Sequence, residues 1–114
     1  QSGTTIFNMA ASADGKYLLT SGNAEAVVWH LKKKKSISLI GHTKWVYGAA
    51  FHPSLPIAVT ASYDRTLRFW DVEKGINTLT LFGFDHELYT VSFSNDGKRL
   101  LVTETGGTAH VINL

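Results

Sequence analysis

The sequence predicts an all-β protein made of three consecutive units of short antiparallel strands. Three observations support this: similar segments recur about every forty residues, turn residues divide each unit into short apolar runs, and no segment has a helical pattern. The recurring segments are SADGKYLLTSG at 12–22, HPSLPIAVTAS at 52–62 and SNDGKRLLVTE at 94–104. The later landmarks Trp29, Trp70 and Ile112 are 41 and 42 residues apart. A period in the low forties indicates repeated supersecondary units.

The strands follow in the same order in each unit, over residues of about 4–40, 41–82 and 83–114. The first unit supplies FNMAA, YLLTS, AVVWHL and SISLI, the second WVYGAAF, PIAVTAS, TLRFWDV and NTLTLF, and the third LYTVSF, RLLVTE and AHVINL. Asp14-Gly15 and Asn95-Asp96-Gly97 supply the positive-φ residues of tight antiparallel turns. Strands such as IAVTA are apolar at consecutive positions, which indicates sheets covered on both faces.

Composition bounds the class of protein. The 114 residues, 44% of them apolar, are enough for one domain. A formal net charge of +2 lacks the dense basic field of a dedicated nucleic-acid binder. The absence of cysteine excludes disulfides, a thiol nucleophile and thiolate metal sites. No stretch approaches the roughly 20 apolar residues of a membrane-spanning helix, so we expect no membrane span. An intracellular site is the commoner case for a chain without cysteine, so we expect an intracellular, cytoplasmic location.

The middle unit carries a recognisable signature. Gly41-His42 is followed, 28 residues after the histidine, by Trp70-Asp71. In a four-stranded unit of about forty residues this spacing resembles the WD-repeat β-propeller family. The outer units depart from the pattern, because His30 follows Trp29 and Phe84 and Ile112 replace the expected His and Trp. The resemblance implies that each unit is a propeller blade, and that about two and three quarter blades of an incomplete ring are present.

The resemblance also implies a buried hydrogen-bonded chain of His42, Ser62 (or Thr60, on the same strand face), Asp64 and Trp70. An indole only donates, a carboxylate only accepts, and a hydroxyl and an imidazole do both, so the four can satisfy one another away from water. Ser, His and Asp can also form a catalytic triad. Ser62 lies inside a strand without a Gly-x-Ser-x-Gly turn around it, so we favour the structural network and expect no enzyme activity.

A second group, Trp45, Tyr47, Tyr63 and Arg65, combines the residue types that are enriched at binding hot spots. Family resemblance implies that they share one rim at the entrance of the central channel, where partner peptides dock. We call them the rim group. For Trp45, packing against the next blade is an equally good interpretation. For Tyr63 and Arg65 we favour binding, because turn residues are usually exposed.

Other chemistry finds little support in the sequence. The five histidines fall in different strands and turns without a pair at ligand spacing, so we expect no metal site. Thr105-Gly106-Gly107-Thr108 is better explained as a turn than as a phosphate loop, and we expect no cofactor. The run Lys32-Lys33-Lys34-Lys35 could contact an anionic surface, but we favour a solvated hairpin turn.

The functional expectation is therefore a non-catalytic protein–protein interaction scaffold that binds other proteins or peptides. The alternative is a structural segment fixed within a large multiprotein assembly, and a regulatory domain of an enzyme is the least favoured interpretation. Because three unclosed sheets leave two faces uncovered, we expect remaining propeller blades or copies of the chain itself to cover them. The start without Met and the stop after VINL favour a segment of a larger propeller domain over self-assembly.

Overall fold

The computed structural model describes residues 6–23 and 25–114. These residues contain eleven β-strands and no helix, hence no helix long and apolar enough to cross a membrane. The strands are β1 (Ile6–Ala11), β2 (Tyr17–Gly22), β3 (Ala26–His30), β4 (Lys35–Leu39), β5 (Val46–Phe51), β6 (Ile57–Ser62), β7 (Leu67–Asp71), β8 (Ile76–Leu81), β9 (Leu88–Phe93), β10 (Arg99–Glu104) and β11 (Ala109–Asn113).

The strands form three antiparallel sheets in chain order. Sheet 1 has the order β1-β2-β3-β4, sheet 2 has β5-β6-β7-β8, and sheet 3 has β9-β10-β11. The predicted fold class is confirmed: the sheets are consecutive blades, and they do not close a ring. The turns before β2 and β10 have Gly15 at φ 75° and Gly97 at φ 73°, as the turn sequences indicate.

Hydrophobic cores fill both spaces between the sheets. Between sheets 1 and 2, Leu19 and Val28 pack near Trp70, which is only 1% exposed. Between sheets 2 and 3, Val59 packs near Leu100. The middle strand β6 is buried on both faces, in agreement with its continuous apolar sequence.

Sheets 1 and 3 each keep one uncovered face. Trp29 of β3 is 36% exposed and Val111 of β11 is 65% exposed. In the repeat, Trp29 is equivalent to Trp70 of sheet 2 and Val111 is equivalent to Phe69 of sheet 2. Trp70 and Phe69 are both buried. The outer sheets therefore lack the neighbour that sheet 2 has on each side.

Each innermost strand is interrupted by a β-bulge near its start. In β1 the pairing moves from Ile6 opposite Gly22 to Asn8 opposite Ser21, so one residue is left without a partner on β2. The same two-against-one pairing leaves the second residue of β5 and the second residue of β9 unpaired. A bulge bends its strand and changes the direction of the extra side chain. The three bulges thus place equivalent side chains at one end of neighbouring inner strands.

Candidate functional site

Four side chains of sheet 2 and the loop before it form a continuous hydrogen-bonded chain, here called the clasp. The indole Nε1 of Trp70 donates to Thr60 Oγ1 at 2.8 Å, and Thr60 Oγ1 lies 2.6 Å from Nε2 of His42. The other ring nitrogen, His42 Nδ1, lies 2.8 Å from Asp64 Oδ2. With a neutral imidazole the directions are fixed: Thr60 donates to Nε2, and Nδ1–H donates to the carboxylate.

Asp64 also organises the loops at this end of the blade. Its Oδ2 accepts from the backbone N–H of Thr43 at 3.0 Å, and its Oδ1 accepts from the backbone N–H of Thr66 at 2.9 Å and from the Thr66 hydroxyl at 2.5 Å. Burial alone would raise the pKa of this carboxyl. The hydrogen bonds from His42, from Thr66 and from the backbone N–H of Thr43 outweigh burial and hold the pKa of Asp64 well below its usual value.

Ser62 is not part of the hydrogen-bonded chain that runs from Trp70 through Thr60 and His42 to Asp64. Its hydroxyl donates to the backbone carbonyls of Trp45 at 2.9 Å and Lys44 at 3.2 Å, and accepts from the backbone N–H of Asp64 at 3.1 Å. The structure therefore places Thr60, the second of the two hydroxyls considered, between indole and imidazole. Two residues along a strand amount to roughly 7 Å, which moves Ser62 towards the turn and out of reach of the ring.

Sheet 3 replaces the clasp by a different arrangement. The equivalent positions, 42 residues on, are occupied by Phe84, Val102, Gly106 and Ile112. The buried carboxylate of Glu104 instead accepts from His86 Nδ1 at 3.2 Å and from His110 Nε2 at 2.7 Å, one imidazole on each oxygen. The bond from His110 is the main reason why the pKa of Glu104 lies below its usual value. No sequence pattern predicted this trio.

The structure brings the aromatic members of the rim group together. The ring centroids of Trp45 and Tyr63 are 5.7 Å apart, those of Tyr47 and Tyr63 are 4.8 Å apart, and those of Trp45 and Tyr47 are 6.1 Å apart. Trp45 is 48% exposed. Arg65 lies beside them in the left-handed region at φ 67°, with its guanidinium 3.8 Å from Glu87 of the segment before β9. The rim group is therefore one surface feature that joins sheets 2 and 3.

Two further aromatic residues belong to the same surface. Phe7 stacks on Tyr47 at 4.6 Å with an angle of 21° between the ring planes, and Tyr89 lies 5.3 Å from Tyr47. All three are the unpaired residues of the three bulges. Their spacing of 40 and 42 residues is the repeat period, so a search for aromatic residues in phase with the repeat would have found them.

A pocket of about 420 Å³ opens beside this surface, lined by Asn23, Thr43, Lys44, Trp45 and Tyr63. It lies where the turn between β2 and β3 faces the loop before β5. The Lys32–Lys35 run occupies the exposed turn between β3 and β4, with its last residue beginning β4. Among residues 6–23 and 25–114, no three His, Cys, Asp or Glu side chains are placed to hold a metal ion.

Comparison with known proteins agrees with this geometry. Residues 33–71 match the family model for the WD domain, G-beta repeat. The chain is 35% identical over 74 residues to Coronin-7 of Rattus norvegicus, covering 64% of this chain and 8% of that protein. It is 33% identical over 89 residues to Periodic tryptophan protein 2 of Arabidopsis thaliana, covering 77% and 10% of the two chains.

A third relative is the Nuclear distribution protein PAC1 of Gibberella zeae, 30% identical over 83 residues that cover 72% of this chain and 18% of that protein. The chain thus spans less than a fifth of the length of these relatives. The matched repeat contains all four clasp residues and ends at the Trp-Asp pair that closes the third strand of sheet 2. Signature, repeat period and stacked four-stranded sheets agree, and the chain belongs to the WD-repeat family.

Proposed function

We propose that this protein is a non-catalytic interaction scaffold, and that the rim group binds a peptide or a surface segment of another protein. The observation that carries the proposal is the exposed aromatic surface to which all three blades contribute. Trp and Tyr supply a large contact area with few rotatable bonds and are enriched at interface hot spots. WD repeats in general mediate protein–protein interactions.

The clasp supports a structural role for the Ser, Thr, His and Asp side chains of sheet 2. The hydroxyls of Thr60 and Ser62 are both buried, and Ser62 donates to backbone carbonyls instead of the imidazole. A nucleophile must be able to reach its substrate and must contact its base. The Thr60 hydroxyl contacts the His42 imidazole but is fully buried, and the Ser62 hydroxyl is buried and does not contact the ring, so neither meets both requirements. The clasp does join the loop before β5 to β6 and β7. We infer that it fixes the position of the loops that carry the rim group.

The test is selection of binding peptides from a random library on the immobilised protein, followed by measurement of affinities. Trp45→Ala and Tyr63→Ala should each weaken the selected peptides by about tenfold or more, since truncating a hot-spot aromatic removes 1.4 kcal/mol or more of binding free energy as a rough figure. Phe82→Ala is the matched control, because Phe82 is an exposed aromatic outside the rim group. Equal affinities for all four proteins would refute the proposal.

The uncovered faces of sheets 1 and 3 favour a second candidate, a segment whose outer blades are fixed against other parts of an assembly. Trp29 and Val111 lie on these faces. A fixed segment should be poorly soluble or unstable without its neighbours, whereas a scaffold that binds reversibly should remain folded and bind peptides alone. We propose that remaining blades of a larger propeller domain cover these faces. We also propose an intracellular location.

A further inference from the structure

The row of bulge aromatics has a shape that suits one class of peptide. Phe7, Tyr47 and Tyr89 form a row of rings with centroid separations of 4.6 and 5.3 Å, so the row is at most about 10 Å long. A polyproline II helix rises about 3.1 Å per residue and completes a turn in about 9 Å. One turn of such a helix therefore matches the row in length. We propose that the rim binds a proline-rich segment of a partner protein in the polyproline II conformation, an inference that rests on the proposed function.

The polar atoms of the rim fit the backbone of such a segment. Proline offers a carbonyl and no N–H, so its binding site needs donors on an apolar aromatic surface. The indoles of Trp29 and Trp70 donate to threonine hydroxyls inside their own sheets. Trp45, by contrast, is 48% exposed and lines the pocket together with Tyr63. We assign the Trp45 indole N–H and the Tyr63 hydroxyl as donors to the carbonyls of the bound peptide.

The ionisation of Tyr63 supports the same reading. Burial, the neighbouring Tyr47 and the carboxylate of Glu87 raise the pKa of the Tyr63 phenol above its ordinary value. The phenol consequently stays protonated, and remains a donor, throughout the neutral and mildly alkaline range.

Positively charged side chains beside the aromatic rings disfavour a cationic ligand. Aromatic surfaces also bind ammonium and guanidinium groups through their ring faces. Here Lys44 lines the pocket together with Trp45 and Tyr63, and the Arg65 side chain is 54% exposed. The contact of Arg65 with Glu87 is long and largely solvent-exposed, so it offsets little of that positive charge. A cationic peptide would be repelled, and an acidic residue next to the prolines would be attracted.

The experiment uses fluorescent oligoproline peptides of about ten residues, with and without two glutamates at one end, and a Gly-Ser peptide of equal length. Binding is measured by anisotropy, and contact with the rim by the NMR signal of the Trp45 indole N–H. We expect oligoproline to bind and the Gly-Ser peptide not to bind. The acidic form should bind about threefold or more tighter at low salt, with the difference reduced at high salt.

Two variants make the test specific. Trp45→Phe keeps one aromatic ring but removes the indole N–H and part of the ring area, and it should weaken oligoproline binding by about fivefold or more, because a hydrogen bond and some apolar contact are lost. Tyr47→Leu keeps the apolar volume and should weaken it similarly by removing the central ring. Phe82→Ala should leave the affinity unchanged, and thermal unfolding shows whether each variant is folded.

Three outcomes would overturn the inference. If the rim binds library peptides that lack proline and ignores oligoproline, the ligand class is wrong and the proposed function stands. If a trimethyl-lysine peptide binds more tightly than oligoproline, the electrostatic argument is wrong. Binding of no peptide of any composition would overturn both this inference and the proposed function.

Discussion

Thr60 shows at the scale of single residues why the clasp positions of sheet 3 have changed together. Its hydroxyl satisfies Trp70 and His42 simultaneously, so its removal would leave two buried polar groups unpaired. In sheet 3 every clasp position has changed together, to residues without side-chain donors or acceptors: Phe84, Val102, Gly106 and Ile112. Three of these, Phe84, Val102 and Ile112, pack in the core between sheets 2 and 3. A partly satisfied polar network is worse than an apolar core, which explains the joint replacement.

The first prediction follows from that comparison. Thr60→Val is nearly isosteric, yet it should lower the free energy of unfolding by about 2 to 4 kcal/mol, because the indole and the imidazole both lose their buried partner. Combining it with His42→Phe and Trp70→Ile copies the three apolar residues found at these positions in sheet 3 and leaves Asp64 in place. The triple variant should lose clearly less stability than the sum of the three single variants, as measured by urea unfolding.

Ser62→Ala is the matched control for Thr60→Val. It removes a buried hydroxyl from the same strand face but leaves the line from Trp70 to Asp64 intact. It should show no favourable coupling with Trp70→Ile. Additive losses in the triple variant would mean that the three clasp side chains do not act as one network.

The ionisation of Asp64 gives a prediction about pH. Its pKa is lowered in the folded protein, so the native state binds a proton at this carboxyl less readily than the unfolded chain does. The stabilisation is complete above about pH 5, where the carboxyl of the unfolded chain, with a pKa of about 3.9, is also ionised. It is lost as the pH falls from about 5 towards the lower folded value. Urea unfolding of Asp64→Asn should therefore depend less steeply on pH between about 5 and 3 than that of the unchanged protein.

Asp85→Asn is the control, since it changes an exposed aspartate in the loop before β9. It should retain the steep dependence on acid pH. If Asp64→Asn and Asp85→Asn have the same pH dependence, Asp64 does not carry this part of the stability.

The choice between Thr60 and Ser62 could not be made from the sequence. Residues two apart in a strand point to the same face of the sheet. The alternation of side chains along β6 therefore puts both hydroxyls on the correct face, but it does not show which of them bonds to Trp70 and His42. What separates them is the bulge in β5, which pairs Val46 with Ser62 and brings Ser62 under the carbonyls of Lys44 and Trp45. A bulge depends on tertiary bending of the strand and has no reliable sequence signal of its own.

At the scale of elements, the bulges and turns decide where the functional side chains lie. A regular β5 would alternate its side chains strictly between the two faces of sheet 2, whereas the extra residue releases Tyr47 from that alternation. The strands themselves were predictable, because their apolar runs and turn residues are local signals. The aromatic row was not predicted, although Phe7, Tyr47 and Tyr89 follow the repeat period, because it depends on three sheets being brought side by side.

The turns before β2 and β10 allow a matched test of how neighbouring blades contact one another. Gly15 and Gly97 occupy the same position of equivalent turns and have nearly the same positive φ. A Cβ on Gly15 would meet only open space, whereas a Cβ on Gly97 would overlap the ring of His52 from sheet 2. That ring cannot swing away freely, because His52 Nδ1 accepts from the backbone N–H groups of Ser54 and Leu55.

Gly15→Ala should therefore cost about 1 kcal/mol of unfolding free energy, the price of a left-handed residue with a side chain. Gly97→Ala should cost a further 1 to 3 kcal/mol, roughly, from the steric conflict between blades. Chemical denaturation of the two variants measures the difference. Equal losses would show that the contact between sheet 3 and His52 is loose enough to absorb a methyl group.

At the scale of the whole molecule, the architecture could be predicted because each blade is a local unit that contacts only its neighbours. The clasp signature of the middle unit and the phase of the outer units were sufficient to identify three consecutive blades. The degree to which the outer faces are uncovered could not be predicted, since exposure depends on what packs against a sheet. Trp29 shows the difference: it donates to Thr20 as Trp70 does to Thr60, yet it remains exposed.

The two open faces are complementary to each other, and this leads to the last prediction. On sheet 3, Leu101 and Val111 occupy the repeat positions at which Leu19 and Val28 of sheet 1 pack in the core with Trp70. A second copy could therefore cover the Trp29 face with its own sheet 3 and repeat the internal contact between blades head to tail. We expect the purified 114-residue chain to associate in a concentration-dependent manner in sedimentation velocity experiments.

Trp29→Lys and Val111→Lys act on opposite faces, and each should shift the chain towards monomer, because a charge on either face must be desolvated when the faces meet. Leu55→Lys, in the exposed turn between β5 and β6, is the control and should leave association unchanged. In a longer protein whose own blades cover both faces, the same two substitutions should lower the free energy of unfolding and should not change the oligomeric state. A chain that stays monomeric and folded with both faces unaltered would contradict the argument, since large apolar faces would then need no covering.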